Sequence, residues 1–281
     1  MSILMTPAYL AATTIPLHHA RIGYENLARG AVITASSVAP GSYLQAPASD
    51  QTWEWWQATA AHPNPWWCIT FTTPTVVNYF AMAAHEVGSA GGTIWIQYDS
   101  GAGWVDVADS YLTPTDDSSI MILFEDITCN AIRAIGMGGS FSPRISVMQF
   151  GTILEMPRPV KWMGHVPAIL NRNFDKRPNV SERGQRLGSS LIRQGLSGQF
   201  DVANLGEYWV RSTFDLFIRN SMRYGYFIAW RPDQFPDEVL YGWTDDPIKP
   251  VNSQGGVNRL MSVSWGMDCF DWENVTAWSS S

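Results

Sequence analysis

The sequence predicts a two-domain, mainly β protein: an N-terminal jelly-roll sandwich, then a C-terminal β domain with one central helix. Three observations carry that expectation. Through the first half, short apolar runs recur between Gly, Pro and Asp turns, the pattern of a sandwich or jelly roll. The pattern changes at Met156, Pro157, Arg158 and Pro159, where two prolines remove backbone donors and force an extended path. A helical periodicity then appears once, after residue 204. With 281 residues, 46% hydrophobic and 15% charged, the chain can build two real cores and is not of disordered type.

In order, residues 1–25 read as an irregular lead-in. Residues 26–155 form the first domain. Asn26 and Gly30 open it as a polar entry, and Val32, Ile33 and Thr34 favour a strand. Further strands are expected over 68–71, 76–84, 93–98, 104–107, 119–124, 131–135 and 145–153. In the 93–98 run, Ile94, Ile96 and Tyr98 fall on one face, against Trp95 and Gln97 on the other. The turn at 99–103 separates it from the strand that starts at Trp104.

Residues 156–270 form the second domain. Residues 174–184 are charged and turn-rich, and 187–200 alternate loosely as in a long hairpin. Asn204 reads as a helix cap, with Leu205, Trp209, Phe214, Phe217 and Ile218 at helical spacing up to Met222. Residues 226–230, 238–243 and 260–265 are further strands, and 271–281 a polar C-terminal tail.

Several functions are disfavoured. The net charge of −7 lacks the clustered basic face that binds phosphate backbones. Cys68, Cys129 and Cys269 are far apart and odd in number, so no zinc ribbon or redox pair is expected and buried free thiols are. No basic n-region precedes an apolar core at the N-terminus, and no run is long enough to span a bilayer. His18, His19, His62, His85 and His165 have no metal-binding spacing, and His85 follows an apolar run as a strand-end residue does. Cys68 sits between Trp67 and Ile69, which favours burial over nucleophilicity. The adjacent pairs Asp116–Asp117, Asp237–Glu238 and Asp245–Asp246 read as solvated turn carboxylates, not as the facing acids of a glycosidase. No catalytic residue, metal or cofactor is expected.

The features that remain are aromatic and basic. There are 14 Trp, 10 Tyr and 12 Phe. Trp53, Trp56 and Trp67 are expected in the core. Trp55 and Trp66, on the alternating side, are expected at the surface with Tyr43 from the preceding loop. Flat aromatic faces stack on the apolar faces of sugars, and Gln57 and Asn64 are placed to meet hydroxyls. The same rings suit a subunit interface. Arg172, Lys176, Arg177, Arg183, Arg186 and Arg193 make the start of the second domain locally basic, a candidate subunit contact.

The first domain resembles the discoidin family (coagulation-factor type C domains), which is common among carbohydrate-binding modules. The likeness rests on the Asn-Leu-Ala-Arg-Gly run at 26–30, Thr-Ala-Ser-Ser at 34–37, Asp50 with Trp53, and Trp-Trp-Cys-Ile-Thr-Phe at 66–71. It continues through 77–80, 95–98 with the turn to Trp104, and Arg133. It implies an eight-stranded jelly roll whose end loops bind a glycan, a lipid headgroup or a protein. The chain departs from the family pattern in two ways. No cysteines tie the module's ends, and the loop with Asp50 offers one carboxylate where calcium takes six or more oxygens. The segments 155–159, 177–181, 191–195, 227–232 and 260–264 make the whole chain similar to virion proteins of long-tailed bacteriophages, in the tail-tip or baseplate region. That likeness implies a distal-tail-like assembly component with a tail-tube-like second domain. Its copies would form a ring, a hexamer being one form it could take with the number left open, against neighbouring tail-tube and baseplate proteins, with host surface glycan as a further contact. Assembly would take place in the host cytoplasm. The rivals are a carbohydrate-binding module of a cell-surface system and a tail-borne polysaccharide depolymerase.

Overall fold

A computed structural model describes residues 2–59, 64–244, 246–255 and 259–273. In chain order the first elements are β1 (Ile3–Met5), α1 (Pro7–Ala12), β2 (Arg21–Gly23), β3 (Val32–Ala35), β4 (Trp66–His85), α2 (Val87–Ala90), β5 (Trp95–Asp99), β6 (Trp104–Asp106), β7 (Ile120–Ile135), β8 (Ile145–Gly151) and β9 (Leu154–Glu155). There follow β10 (Arg172–Val180), β11 (Arg186–Gly206), α3 (Glu207–Trp209), α4 (Asp215–Ser221), β12 (Tyr226–Ala229), β13 (Val239–Trp243), β14 (Val251–Gln254) and β15 (Leu260–Cys269).

The jelly roll comes from bending one long ladder. β4 and β7 pair antiparallel over most of their length, with a register break between Thr70 and Thr75. Before the break, β4 lies between β3 and β7, and β7 leads on to β5 and β6. After it, β4 pairs with β8, and β7 pairs in parallel with β1. The two halves become facing layers. Between them lie Trp56, Trp67, Ile69, Phe80, Met82, Ile96, Phe124, Ile132 and Phe150, all at most 1% exposed.

The segment 79–83 is buried without alternation, as in a strand covered on both faces. Phe80 and Met82 face the jelly-roll core. Tyr79, Ala81 and Ala83 pack against Phe227, Ala229, Val239 and Tyr241 of the second domain. Apolar burial of this kind stabilises by about 25 cal/mol per Å², so the two domains share a core.

The second sheet runs β10-β11-β15-β13-β12-β2-β9, with β14 on β15. The lead-in is therefore not irregular. β2 pairs with β12, and β9 pairs with β2, so the jelly roll is inserted between two neighbouring strands of this sheet. Arg21, fully buried, fixes the junction. Its Nε donates to the Tyr9 hydroxyl at 2.6 Å, and its terminal nitrogens donate to the carbonyls of His19 at 3.0 Å and Ile15 at 2.9 Å. Glu155 lies 3.3 Å from Arg21 Nε and accepts from Tyr9 at 2.5 Å.

Two expectations for the helix need correction. Asn204 is not its cap: it sits at φ +61°, in a bulge where β11 continues pairing with β15. The left-handed residue absorbs the extra position, and the helix starts at Glu207. Between α3 and α4 lies a π-helical turn, Val210–Phe214. Its five-residue step brings Trp209 and Phe214 into a stack at 5.5 Å.

Candidate functional site

The long hairpin is the first surface of note. β10 and β11 pair from Arg172↔Leu196 to Val180↔Arg186, whereas β15 joins β11 only from Leu196 onward. Eight residue pairs, from Asn173↔Gly195 to Val180↔Arg186, thus project past the sheet, roughly 27 Å at strand rise. The expected turn-rich segment is mostly strand, with the turn confined to 181–185 and closed by Ser181 and Gln185 amide bonds of 2.8 and 3.0 Å. Every residue of β10 is exposed. Phe174, Lys176, Pro178 and Val180 share one face by alternation, with Lys176 Nζ 4.5 Å from the Phe174 ring centroid and Leu191 opposite Lys176. Phe174, Val180, Leu187, Leu191 and Ile192 are 61%, 55%, 70%, 51% and 52% exposed.

The hairpin also gathers the basic residues. Arg172, Lys176 and Arg177 lie on β10, Arg183 in the turn, and Arg186 and Arg193 on β11. Arg172 pairs with Glu273 at 2.9 Å. The side chain of Arg193 lies outside the described ones.

The second surface is the outer face of the layer β3-β4-β7-β5-β6. Alternation in β5 turns Ile96 inward and Trp95 and Gln97 outward, as the sequence pattern predicts. Register places Cys68, Arg133, Gln97 and Asp106 in one row across β4, β7, β5 and β6. The row on one side holds Trp66, Ile135 and Trp95. The other holds Thr70, Ala131, Asp99 and Trp104. Arg133 spans them, with Cζ 4.0 Å from the Trp104 ring centroid and 5.3 Å from that of Trp66.

A polar chain organises this face. Arg133 Nε donates to Gln97 Oε1 at 2.8 Å, Gln97 Nε2 to Asp106 Oδ1 at 2.6 Å, and the Tyr111 hydroxyl to Asp106 Oδ2 at 2.9 Å. That last bond holds the Tyr111 phenol above its ordinary pKa. The Tyr111 ring stacks on Trp95 at 5.5 Å. Gly136, at φ +83°, also packs against Trp95: a Cβ there would fall 1.9 Å from Trp95 Cζ3. Trp104 and Tyr111 are the most exposed rings of this group, at 39% and 53%.

The loop candidates are more dispersed than expected. Tyr43 and Asn64 are exposed. Trp55 is half-buried, with Arg144 4.9 Å from its ring centroid, while Trp66 lies on the outer face just described. The Gln57 side-chain amide donates to the Ser142 carbonyl at 2.7 Å. Trp56 and Trp67 are core, their indole N–H groups bonded to the carbonyls of Ser37 and Leu44. Trp53, expected in the core, is 59% exposed, as is Tyr43. The neighbouring loop is held elsewhere: Asp50 forms an ion pair with Arg29, whose guanidinium lies 3.7 Å from the Tyr224 ring centroid, and the Asp50 carbonyl accepts from Tyr241 at 3.0 Å.

The titratable groups have structural partners. His85 is buried between the Ser118 carbonyl, 2.9 Å from Nε2, and the Val87 amide, 3.2 Å from Nδ1. His19 Nδ1 meets the Met156 carbonyl at 2.8 Å, and His165 lies 4.1 Å from Trp230 between ring centroids. Burial lowers the pKa of all three. His62 and Asp245 lie outside the described residues. The three cysteines are buried and free, with Cys129 and Cys269 pushed up to about 12 by burial. Asp116 and Asp117 cap the amides of Ser118 and Ser89. Glu238 is not a solvated turn carboxylate: it is buried and accepts from Trp230 Nε1 at 2.5 Å, and burial raises its pKa.

The sequence reading missed Trp95, Gln97, Trp104 and Tyr111 as surface-site residues. The alternation that set Ile96 inward already placed Trp95 and Gln97 together outside. Tyr111 gave no such signal, because it reaches the face from a loop.

Three proteins are among those whose solved structures the chain is similar to. One is chitosan-binding module 1 from a chitosanase/glucanase of Paenibacillus sp. IK-5, with TM-score 0.38 and 20% identity, over 46% of this chain and 99% of that one. A second is a pectin-binding carbohydrate-binding module, with TM-score 0.37 and 16% identity, over 43% and 89%. A third is a putative alpha-L-fucosidase from Bacteroides thetaiotaomicron, with TM-score 0.38 and 14% identity, over 46% and 28%. No family model matches the chain, and no curated protein matches it.

Proposed function

We propose that this chain is a structural component of a tailed-phage virion, at the tail tip or baseplate, that assembles into a ring through its second domain and catalyses no reaction. The observation that carries this reading is the projecting hairpin with five large apolar side chains more than half exposed. A two-stranded ribbon is marginal alone in water, and apolar side chains gathered on such a surface mark an interaction site. The sequence likeness to tail-tip proteins supplies the setting. Repeated head-to-tail contacts close into rings, and the Arg and Lys side chains on the same ribbon give it polar forks for a neighbour's carboxylates. The test is light scattering and electron microscopy of the purified protein. Closed oligomers at micromolar concentration support the reading, and a monomer up to about 100 µM removes it.

A second reading is carbohydrate binding by the jelly roll, favoured by Tyr43 and Trp53, each 59% exposed on one loop region. A host-polysaccharide array with Tyr43→Ala and Trp53→Ala controls tests it. Absence of signal above background removes it.

A further inference from the structure

We propose that the outer face of the β3-β4-β7-β5-β6 layer is a binding platform for a neutral polysaccharide. It rests on the second reading above and deepens it by naming a site away from the loops and a ligand class. Trp104 and Tyr111 supply the stacking surfaces, and Arg133, Gln97 and Asp106 the hydroxyl partners.

Three features give the platform its chemistry. First, the rings are held in place. Trp95 packs against Gly136 and stacks on Tyr111, and Asp99 Oδ1 accepts from the amides of Gly101 and Gly103 at 2.7 and 3.1 Å, fixing the turn that presents Trp104. Rings held before binding lose less entropy on stacking. Second, donors and acceptors alternate along one hydrogen-bonded chain, Arg133–Gln97–Asp106–Tyr111. Arg133 has no ion pair among the described residues, and only its Nε is engaged by Gln97. Its terminal nitrogens can therefore donate to hydroxyl or ring oxygens, while the Asp106 carboxylate accepts. Third, from β4 to β6 the face spans three strand spacings, about 14 Å, room for more than one sugar ring.

Charge decides the ligand class. One cation and one anion are joined in the same network, and Asp99 is engaged by two amides. The face is therefore complementary to an uncharged, hydroxyl-rich chain and not to a polyanion, which needs clustered cations. A protein partner fits less well, because interface cores are depleted of carboxylates and here Asp106 lies in the middle of the polar network, bonded to the Tyr111 hydroxyl.

The experiment is affinity electrophoresis of the full chain in gels containing neutral polymers (β-glucan, mannan, galactan) or polygalacturonate, followed by calorimetry on the polymer that retards it. Retardation by a neutral polymer is expected, with affinity reduced at least tenfold by Trp104→Ala and by Tyr111→Ala, and unchanged by Tyr43→Ala and Trp53→Ala. Gln97→Ala serves as a further variant of the polar chain, and thermal unfolding checks each fold. Binding that is lost with Trp53→Ala but kept with Trp104→Ala and Tyr111→Ala overturns this site while leaving sugar binding by the loops standing. No retardation by any neutral polymer, or retardation by polygalacturonate alone, overturns the proposal outright.

Discussion

Consider replacement of Leu187, Leu191 and Ile192 by serine together. In the free chain these side chains are 70%, 51% and 52% exposed, so the fold loses little, within about 0.5 kcal/mol for each substitution. In a ring the same side chains would be covered. Full burial of such a side chain contributes about 1.5–3 kcal/mol, and somewhat over half of each remains to be buried. That gives about 1–1.5 kcal/mol apiece, or about 3–4.5 kcal/mol for the three. At 1.4 kcal/mol per decade, each subunit contact weakens by about a hundred- to a thousandfold. Sedimentation velocity at graded concentrations reads this directly, and chemical denaturation checks the fold. A triple variant that assembles like the parent, or one that unfolds at markedly lower denaturant, would refute the reasoning.

Three further outcomes concern stability. Arg21→Met removes a buried cation from Glu155 and leaves the His19 and Ile15 carbonyls without that donor. A loss of about 3–5 kcal/mol is expected in urea unfolding, and a loss below 1 kcal/mol counts against the junction described. Gly136→Ala places a Cβ against Trp95 at a left-handed position. It should cost about 2–3 kcal/mol and change the near-ultraviolet signal of the Trp95–Tyr111 stack; an unaltered spectrum argues against that packing. The third outcome concerns pH. Burial holds His85 below its ordinary 6.5, with Asp116 and Asp117 opposing. The unfolded chain then takes up the proton first, so stability falls as pH drops below 6.5. Raised carboxyls such as Glu238 act in the opposite sense nearer the carboxylate range. His85→Gln should therefore flatten the fall in melting temperature between pH 7 and 5.5, and a parallel slope contradicts it.

Much of the fold can be read in the residues. β12, β13 and β15 lie where apolar runs place them, and the inward set of β5 follows from simple alternation. The unbroken apolar run at 79–83 has a physical reason that periodicity alone does not disclose: both of its faces are covered, one by a second domain. β2 and β9 escaped because strands of three and two residues leave no periodic signal and gain their pairing from distant partners. Asn204 misled because its side chain suits a cap and a left-handed bulge alike. Glu238 looked solvated because its partner, the Trp230 indole, is eight residues away. On the candidate surfaces the residue types were visible, but their grouping depends on cross-strand register. Arg133 comes to lie between Trp66 and Trp104 only once β4, β7, β5 and β6 lie side by side.

The double crossing between the two domains has a mechanical consequence. The chain enters the jelly roll from β2 and returns through β9, adjacent strands of one sheet, with Arg21 locking the crossing. A pull on the outer module is shared by two parallel tethers and resisted by a greasy seam, so swivelling is suppressed. The module behaves as a stiff outrigger whose heading is set by the sheet that carries it, and whatever it grips is held at a fixed bearing.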